Sequence, residues 1–480
     1  MEHLYEKLSA YGEGDIYPYH MPGHKRQGWG RLPGEWYKTD ITEIDGFDNL
    51  HQAEGILREL QEAASRLYGA EESYYLVNGS TCGILAAVSC AVSFGGHILM
   101  SRNCHKSAYH AVYLRRLKPH YLYPDYLEQF GILEAVTPEQ VRRGLDEAPE
   151  AEAVLVVSPT YEGRIADLSG IARVVHERGI PLIVDEAHGA HLGMAEGFPG
   201  NACQAGADLV IHSVHKTLPA LTQTALLHVN GNLADRDRLR RFLHIYQTSS
   251  PSYPLMASID NALEFVRLHG EKAFGQFRSL YGEMMERLSG CRYFRFLQGG
   301  SGRQDIGKLL ISVRRTTLTG KQLYDRLLRE YHLQTEMAGR DFVLAMFTIN
   351  DKKEAYERMT EALLDMEKRM EADNPKGEKS GSSPFRFFPG ERSIPLAEAW
   401  EREAENVALE ESAGRYAAEF VNLYPPGVPI LVPGEQITRE FCREIRENLK
   451  NGLTVQGIVQ EGSGERLLIR AVKEDRTENR

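Results

Sequence analysis

The sequence predicts an α/β protein built on a mainly parallel sheet, joined to a smaller α+β domain and a C-terminal domain. Three observations carry this. Short apolar runs at Tyr74–Val77, Ile98–Met100, Ala153–Val157, Leu182–Val184, Leu209–Ile211 and Ala225–Val229 have the length and composition of buried strands. Helical patterns such as Ile84–Val92 and Ile171–Arg178 fall between several of them, the alternation that a sheet covered on both faces requires. Beyond about residue 261 the pattern changes to long charged helices, with strands at Lys308–Val313 and Phe342–Phe347.

In chain order, residues 1–50 are rich in Gly, Pro and aromatics with little periodicity, and read as an extended N-terminal arm. Residues 52–68 read as an amphipathic helix, with Ile56, Leu60, Ala63, Ala64 and Leu67 at helical spacing. A large domain over 51–260 and the small α+β domain over 261–371 follow. The run ADNPKGEKSGSSPFRFFPGER, residues 372–392, has the composition of a linker. The C-terminal domain, 393–480, opens on a helical stretch from Leu396 to Leu423, continues through YPPGVPILVPGE and ends in a charged tail frayed from Glu474.

Length and charge narrow the function. A chain of 480 residues fits two or three domains. A net charge of -11 argues against nucleic acid or an anionic membrane as partner. The longest nearly apolar stretch, Ile84 to Phe94, is well short of the ~20 residues that span a bilayer. MEHLYEKLSAYGEGD has acids early and no apolar core, so a signal peptide is not expected. The six cysteines form no CxxC pair, which suits reduced thiols in the cytoplasm.

Four local runs carry chemistry. Asn78-Gly79-Ser80-Thr81-Cys82-Gly83 lies between a strand and a helix. Two hydroxyls and free backbone N–H groups at a helix N-terminus make a phosphate cradle, although the same residues serve as an ordinary cap. Leu182–His188 puts Asp185 at the C-terminal end of a buried strand, facing the crevice where α/β sheets bind ligands. That carboxylate can hold a protonated pyridine nitrogen, or cap a helix, or join Glu186, His188 and His191 as zinc ligands; no further cluster supplies ligands at an obvious spacing, and no metal is expected. In Ser213-Val214-His215-Lys216-Thr217, Lys216 can form an imine with an aldehyde cofactor, with Ser213 and His215 in reach of its phosphate. A P-loop is excluded there, because no glycine precedes the lysine. Arg102–Ser107 offers His105, a flat imidazole able to stack on an aromatic ring, or else a plain loop residue.

Together these runs resemble the Orn/Lys/Arg decarboxylases of fold type I, the bacterial basic-amino-acid decarboxylases. The matching motifs are HMPGHK (20–25), LVNGSTCG (76–83), RNCHKS (102–107), SPTYEG (158–163), DEAHGAH (185–191), SVHKTLPALTQ (213–223), SSPSYPLMASID (249–260) and YPPGVPILVPGE (424–435). They run in family order through nearly the whole chain and resemble the short form, without an N-terminal regulator-like domain. The resemblance implies an aspartate aminotransferase-like fold and pyridoxal 5'-phosphate (PLP) as cofactor. It implies that Lys216 carries the cofactor, that Asp185 pairs with its ring nitrogen and that His105 stacks on the ring. Ser80, Thr81, Ser213 and His215 hold the phosphate by the same resemblance, and Ala187 and His188 lie near the ring. Ser249 or Ser250 reaches the phosphate of a neighbouring subunit, so a homodimer or higher homo-oligomer is implied.

The implied reaction is α-decarboxylation of a basic L-amino acid. Arginine, giving agmatine for polyamine biosynthesis, ranks first, then lysine to cadaverine, then ornithine to putrescine. The proton that replaces the carboxylate at Cα comes from Lys216 or His188, between which the sequence does not choose. The cationic side chain needs a carboxylate, for which Asp45 and Asp48 of the arm (with Glu43) and Glu411 are candidates. The competing readings are another fold type I enzyme, an aminotransferase or aldolase, and a metal-dependent hydrolase on the 185–191 cluster.

Overall fold

The computed structural model describes residues 2–15, 18, 21–22, 24–27, 34–297, 303–373, 387, 390, 393–423, 427–462 and 466–473. Most of the 372–392 linker, parts of HMPGHK, residues 424–426 and the tail from 474 lie outside them.

All six apolar runs are strands of one seven-stranded sheet. Its members are β1 (Glu72–Leu76), β2 (His97–Ser101), β3 (Lys118–Leu122), β4 (Ala151–Val157), β5 (Leu182–Asp185), β6 (Leu209–His212) and β7 (Ala225–Val229). The order is β1-β7-β6-β5-β4-β2-β3. From β6 to β3 every pairing is parallel, while β7 runs antiparallel to both β1 and β6. β5 and β6 are buried at every residue, as befits central strands covered on both faces. The strand absent from the sequence reading is β3, KPHYL: it sits at the sheet edge, where Pro119 costs little pairing but disguises the strand.

Helix Ile56–Tyr68 starts four residues later than its periodicity suggests, because Asp48 sets the entry. Its carboxylate accepts the backbone N–H groups of Glu54 at 3.0 Å, Gly55 at 2.8 Å and Leu57 at 3.0 Å. Asp48→Ala should therefore lower the unfolding free energy by about 1–2 kcal/mol, measured by urea titration, with KM unmoved.

Two expectations are corrected. The first fifty residues are not simply extended: Leu4–Glu13 is a helix whose Leu4 and Leu8 are fully buried, and Asp260 accepts the N–H of Leu4 at 2.9 Å. Only two of its apolar residues are fully buried, too few to register as a period. The helical stretch 396–423 is mostly not helix either. After Leu396–Glu401 the chain turns into a strand, Ala404–Ala408, paired antiparallel with Arg466–Val472, and a second strand at Val421–Leu423. The Ala/Glu-rich composition favours helix by a few tenths of a kcal/mol per residue, which strand pairing across the domain overrides.

The small domain is a four-stranded antiparallel sheet ordered Arg295–Phe296, Lys308–Ser312, Phe342–Met346, Met337–Ala338. One 36-residue helix, Tyr253–Leu288, joins it to the large sheet. Its first turns bury Tyr253, Met256 and Ile259 against the large domain, and its last turns bury Phe277, Met284 and Leu288 in the small one. A single helix in both cores fixes how the small sheet faces the C-terminal ends of the parallel strands.

Candidate active site

Those strand ends open on a cleft of about 760 Å³, roofed by the small domain and by Leu423, Val428 and Ile430 of the C-terminal domain. Ser80, His105, Asp185, Ala187, His188, His215 and Lys216 all line it. Residues spread over 136 positions of sequence meet there because they lie at or just past the ends of four strands, β1, β2, β5 and β6, that run the same way through the sheet.

Gly79, in the left-handed region at φ +72°, turns the chain after β1 into helix Gly79–Ala91. The N-cap residue Asn78 does not cap that helix; its side-chain oxygen accepts the N–H of Thr248 at 3.1 Å. The helix therefore presents an uncapped N-terminus and Ser80 to the cleft. Ser213, just past β6, is fully buried and its Oγ has no hydrogen-bond partner. His215 donates from Nδ1 to the Thr224 carbonyl at 2.8 Å, which leaves Nε2 for another partner. An uncapped dipole, an orphaned buried hydroxyl and an imidazole with a spare nitrogen fit the phosphate of PLP.

Asp185 ends β5, nearly buried, and its Oδ1 accepts the N–H of Ala187 at 3.2 Å. Burial raises its carboxyl above the usual range, opposed by the charge of Lys216. Lys216 lies in the short helix Val214–Thr217, where burial lowers its amine below the ordinary lysine value against the pull of Asp185. A carboxylate beside an amine that sheds its proton readily is the pair that a cationic pyridine ring and an imine-forming lysine need. His105 caps helix Lys106–Arg115, accepting the N–H of Ser107 at Nδ1, 3.2 Å away. Burial first, then the Lys216 charge, lowers its pKa to about 4, so its ring is neutral and flat for stacking.

The loop over His105 is held from below. Arg102, 1% exposed, donates to Glu435 from Nε at 3.1 Å and Nη2 at 2.8 Å, and to the Pro429 carbonyl at 2.6 Å. Two of the sequence motifs are thus one bidentate ion pair between domains. Glu435→Ala, which strands a buried guanidinium, should cost about 3–5 kcal/mol, read as a lowered denaturant midpoint.

Other candidates lie elsewhere. Thr81 is exposed in the first helical turn, and Ser249 and Ser250 are exposed beyond helix Arg236–Tyr246, beside Asn78 but outside the cleft of a single chain. Asp45 and Glu411 are exposed and Asp48 is the helix cap; none lines the cleft. The carboxylates that do, besides Asp185, are Glu162, Glu336 and Asp341. Asp341 is taken by Arg314 at 3.1 Å. The sequence reading missed Glu162, Glu336, Tyr161 and Lys308. Their available signals were the SPTYEG motif for two of them and, for Lys308, a lysine opening an apolar strand.

The four residues considered as zinc ligands do not converge. Glu186 accepts from His212 at 2.6 Å and from the N–H of Ala202 at 2.9 Å, and His191 pairs with Asp305 at 3.0 Å. Among the described residues, the one group of three with ligand atoms in mutual reach is His97, His120 and Glu150, at the opposite ends of the strands.

The fold and this cleft define the class: the architecture is that of the fold type I PLP-dependent enzymes. The structure matches the lysine decarboxylase of Francisella novicida with a TM-score of 0.83 at 19% identity, covering 98% of this chain and 81% of that one. It matches the ureidoglycine-glyoxylate aminotransferase of Bacillus subtilis at 0.55 and 15%, covering 71% and 89%. Residues 2–296 match the Orn/Lys/Arg decarboxylase major domain and residues 394–450 its C-terminal domain. An arginine decarboxylase of Bacillus subtilis (strain 168) is 33% identical over 472 residues, 95% of each chain. The chain belongs to the Orn/Lys/Arg decarboxylase family, and its reaction is the decarboxylation of an amino acid. The family implies PLP.

Proposed function

We propose that this protein is a PLP-dependent arginine decarboxylase, releasing CO2 and agmatine. The observation that carries the cofactor reading is the uncapped helix at Ser80 in the same cleft as the Lys216–Asp185 pair, with the orphaned hydroxyl of Ser213 three residues before Lys216. Arginine is favoured over lysine and ornithine because a relative named arginine decarboxylase aligns over 95% of the chain. Glu162 and Glu336 in the cleft wall supply carboxylates for a guanidinium, which accepts bidentate pairing better than an ammonium does.

In this reading Lys216 would hold the cofactor covalently, and its amine is the group that substrate would replace there. Ser80, Ser213 and His215 would hold the phosphate, and Asp185 would keep a proton on the ring nitrogen. When bound, PLP supplies the electron sink for the pair left by the departing CO2. His105 would stack on the ring, and Ala187 and His188 would border it. Glu336 and Glu162 draw the side-chain cation to one end of the cleft, which leaves the α-carboxylate to be turned toward the apolar part of the wall.

The deciding assay offers arginine, lysine and ornithine separately and measures CO2 and amine. Arginine should give the highest kcat/KM. Glu336→Gln should raise its KM about tenfold or more while leaving PLP content unchanged. Leucine reacting as well as the basic amino acids would rule out a cationic substrate.

Exposed Ser249 and Ser250, adjoining the helix that carries Ser80, are read as phosphate ligands for a second subunit, which makes the enzyme a homodimer at least. Chains carrying Lys216→Ala, mixed with chains carrying Ser249→Ala and Ser250→Ala together, should regain part of the native rate, because one composite site is intact. Verified heterodimers without activity would refute sharing. Among the described residues no helix is long and apolar enough to cross a membrane. The free cysteines, five of them buried, suit a reducing compartment, and we place the protein in the cytoplasm.

A further inference from the structure

Lys308 is a buried titratable group that the reaction so described leaves unused. It opens the strand Lys308–Ser312, and it is 1% exposed. Taking an ammonium out of water costs several kcal/mol unless it is well paired. Yet among the described residues its hydrogen-bond partners are His188 Nδ1 at 2.8 Å and the Met346 sulfur at 3.3 Å, with the Tyr161 ring centre 5.8 Å away.

His188 has lysine amines on both sides, Lys308 at Nδ1 and Lys216 at Nε2, 3.2 Å away. A neutral imidazole carries one N–H and one accepting nitrogen, and an ammonium can only donate. The two lysines therefore cannot both be charged donors to it. The 2.8 Å contact has the length of a charge-assisted bond and the 3.2 Å contact that of a neutral one. This places the ammonium on Lys308, the imidazole proton on Nε2 and the free base on Lys216. His188 stays neutral because burial, with Lys308 next, holds its pKa well below the ordinary histidine value.

We propose that Lys308 and His188 form a proton relay that delivers the proton to the substrate α-carbon after CO2 leaves, an inference that rests on the decarboxylase reading above. The Lys308 Nζ–H bond breaks as the His188 Nδ1–H bond forms. The Nε2–H bond breaks as the Cα–H bond forms on the electron pair left by the carboxylate. Lys308 ends as a neutral amine; before the next turnover His188 Nε2 takes up a proton from solvent as Nδ1 returns its own to Lys308, which restores the starting tautomer and the ammonium. His188 touches the reacting carbon; Lys308 acts through it, setting its tautomer and replacing its proton. Burial favours the unprotonated form of Lys216, the form that attacks a carbonyl.

The ionisable groups around Lys308 are His188, Lys216, Asp305, Glu162 and Glu336. Burial, against the pull of Asp305, lowers its pKa to about 8. The donating form is present below that pH and lost above it, so kcat should fall on an alkaline limb near 8.

The test is neutron diffraction from the full-length protein without substrate, with rates measured in parallel. The deuteron of His188 should sit on Nε2. Lys308→Met should move or share it and lower kcat about 100-fold or more, with KM changed less than about threefold. Lys308→Arg still donates to Nδ1 but does not release its proton near neutrality. It should restore the native tautomer, without the rate and without the alkaline limb. A deuteron on Nδ1 in the native protein, or near-native turnover in Lys308→Arg, would overturn the relay. CO2 release from none of the amino acids would overturn the decarboxylase reading and the relay with it, while the neutron density would still report whether the tautomer had been assigned correctly.

Discussion

Lys216→Ala should eliminate decarboxylation, leaving on the order of one part in 10⁵ of the native kcat or less. Borohydride treatment of the PLP-loaded native protein should fix the cofactor to one peptide, the one containing Lys216, and the variant should show no such label. The size of the effect follows from position. Lys216 is the amine that stands beside His188 with Asp185 as its main charge partner, and burial already favours its neutral form. Removing it deletes the attachment point together with the nucleophile, and no nearby group offers both. A label on Lys321, the other lysine of the cleft, or on Lys308 behind His188, would refute the assignment.

Asp185→Asn is expected to lower kcat by about 10³-fold with PLP content near native. The substitution keeps shape and the contact with the Ala187 N–H, so binding changes little; what is lost is a full negative charge buried at the end of β5. Charge in a site closed from water is worth several kcal/mol to a cationic partner, and the ring nitrogen must stay protonated while electrons flow toward it. The loss therefore falls on kcat. A variant with kcat within tenfold of native and full PLP content would remove Asp185 from this role.

Much of the site was legible because its chemistry is local. Asn78–Gly83, Asp185–His188 and Ser213–Lys216 each follow a recognisable apolar strand, and a strand end in a parallel sheet faces the ligand crevice whatever the rest of the chain does. The carboxylates of the cleft wall were not legible for the opposite reason. Asp48 looked like a free arm acid, whereas three backbone N–H groups claim it; Glu336, from a short loop of the small domain, reaches the cleft only through the docking of that domain. The helical reading of 396–423 failed on the same ground, since Ala404–Ala408 is extended only because Arg466–Val472 lies beside it.

By itself the amino-acid order determined the parallel sheet, the places where its strands end and the reactive residues at those ends, because burial and hydroxyl, carboxylate and amine chemistry are properties of short segments. Tertiary structure alone decided the pairing of Arg102 with Glu435 and the contact of Lys308 with His188. Those residues are 333 and 120 positions apart. No local propensity records such a separation; only the long helix bridging two cores, and the packing of the C-terminal domain on the sheet, brings these charges within a hydrogen bond of one another.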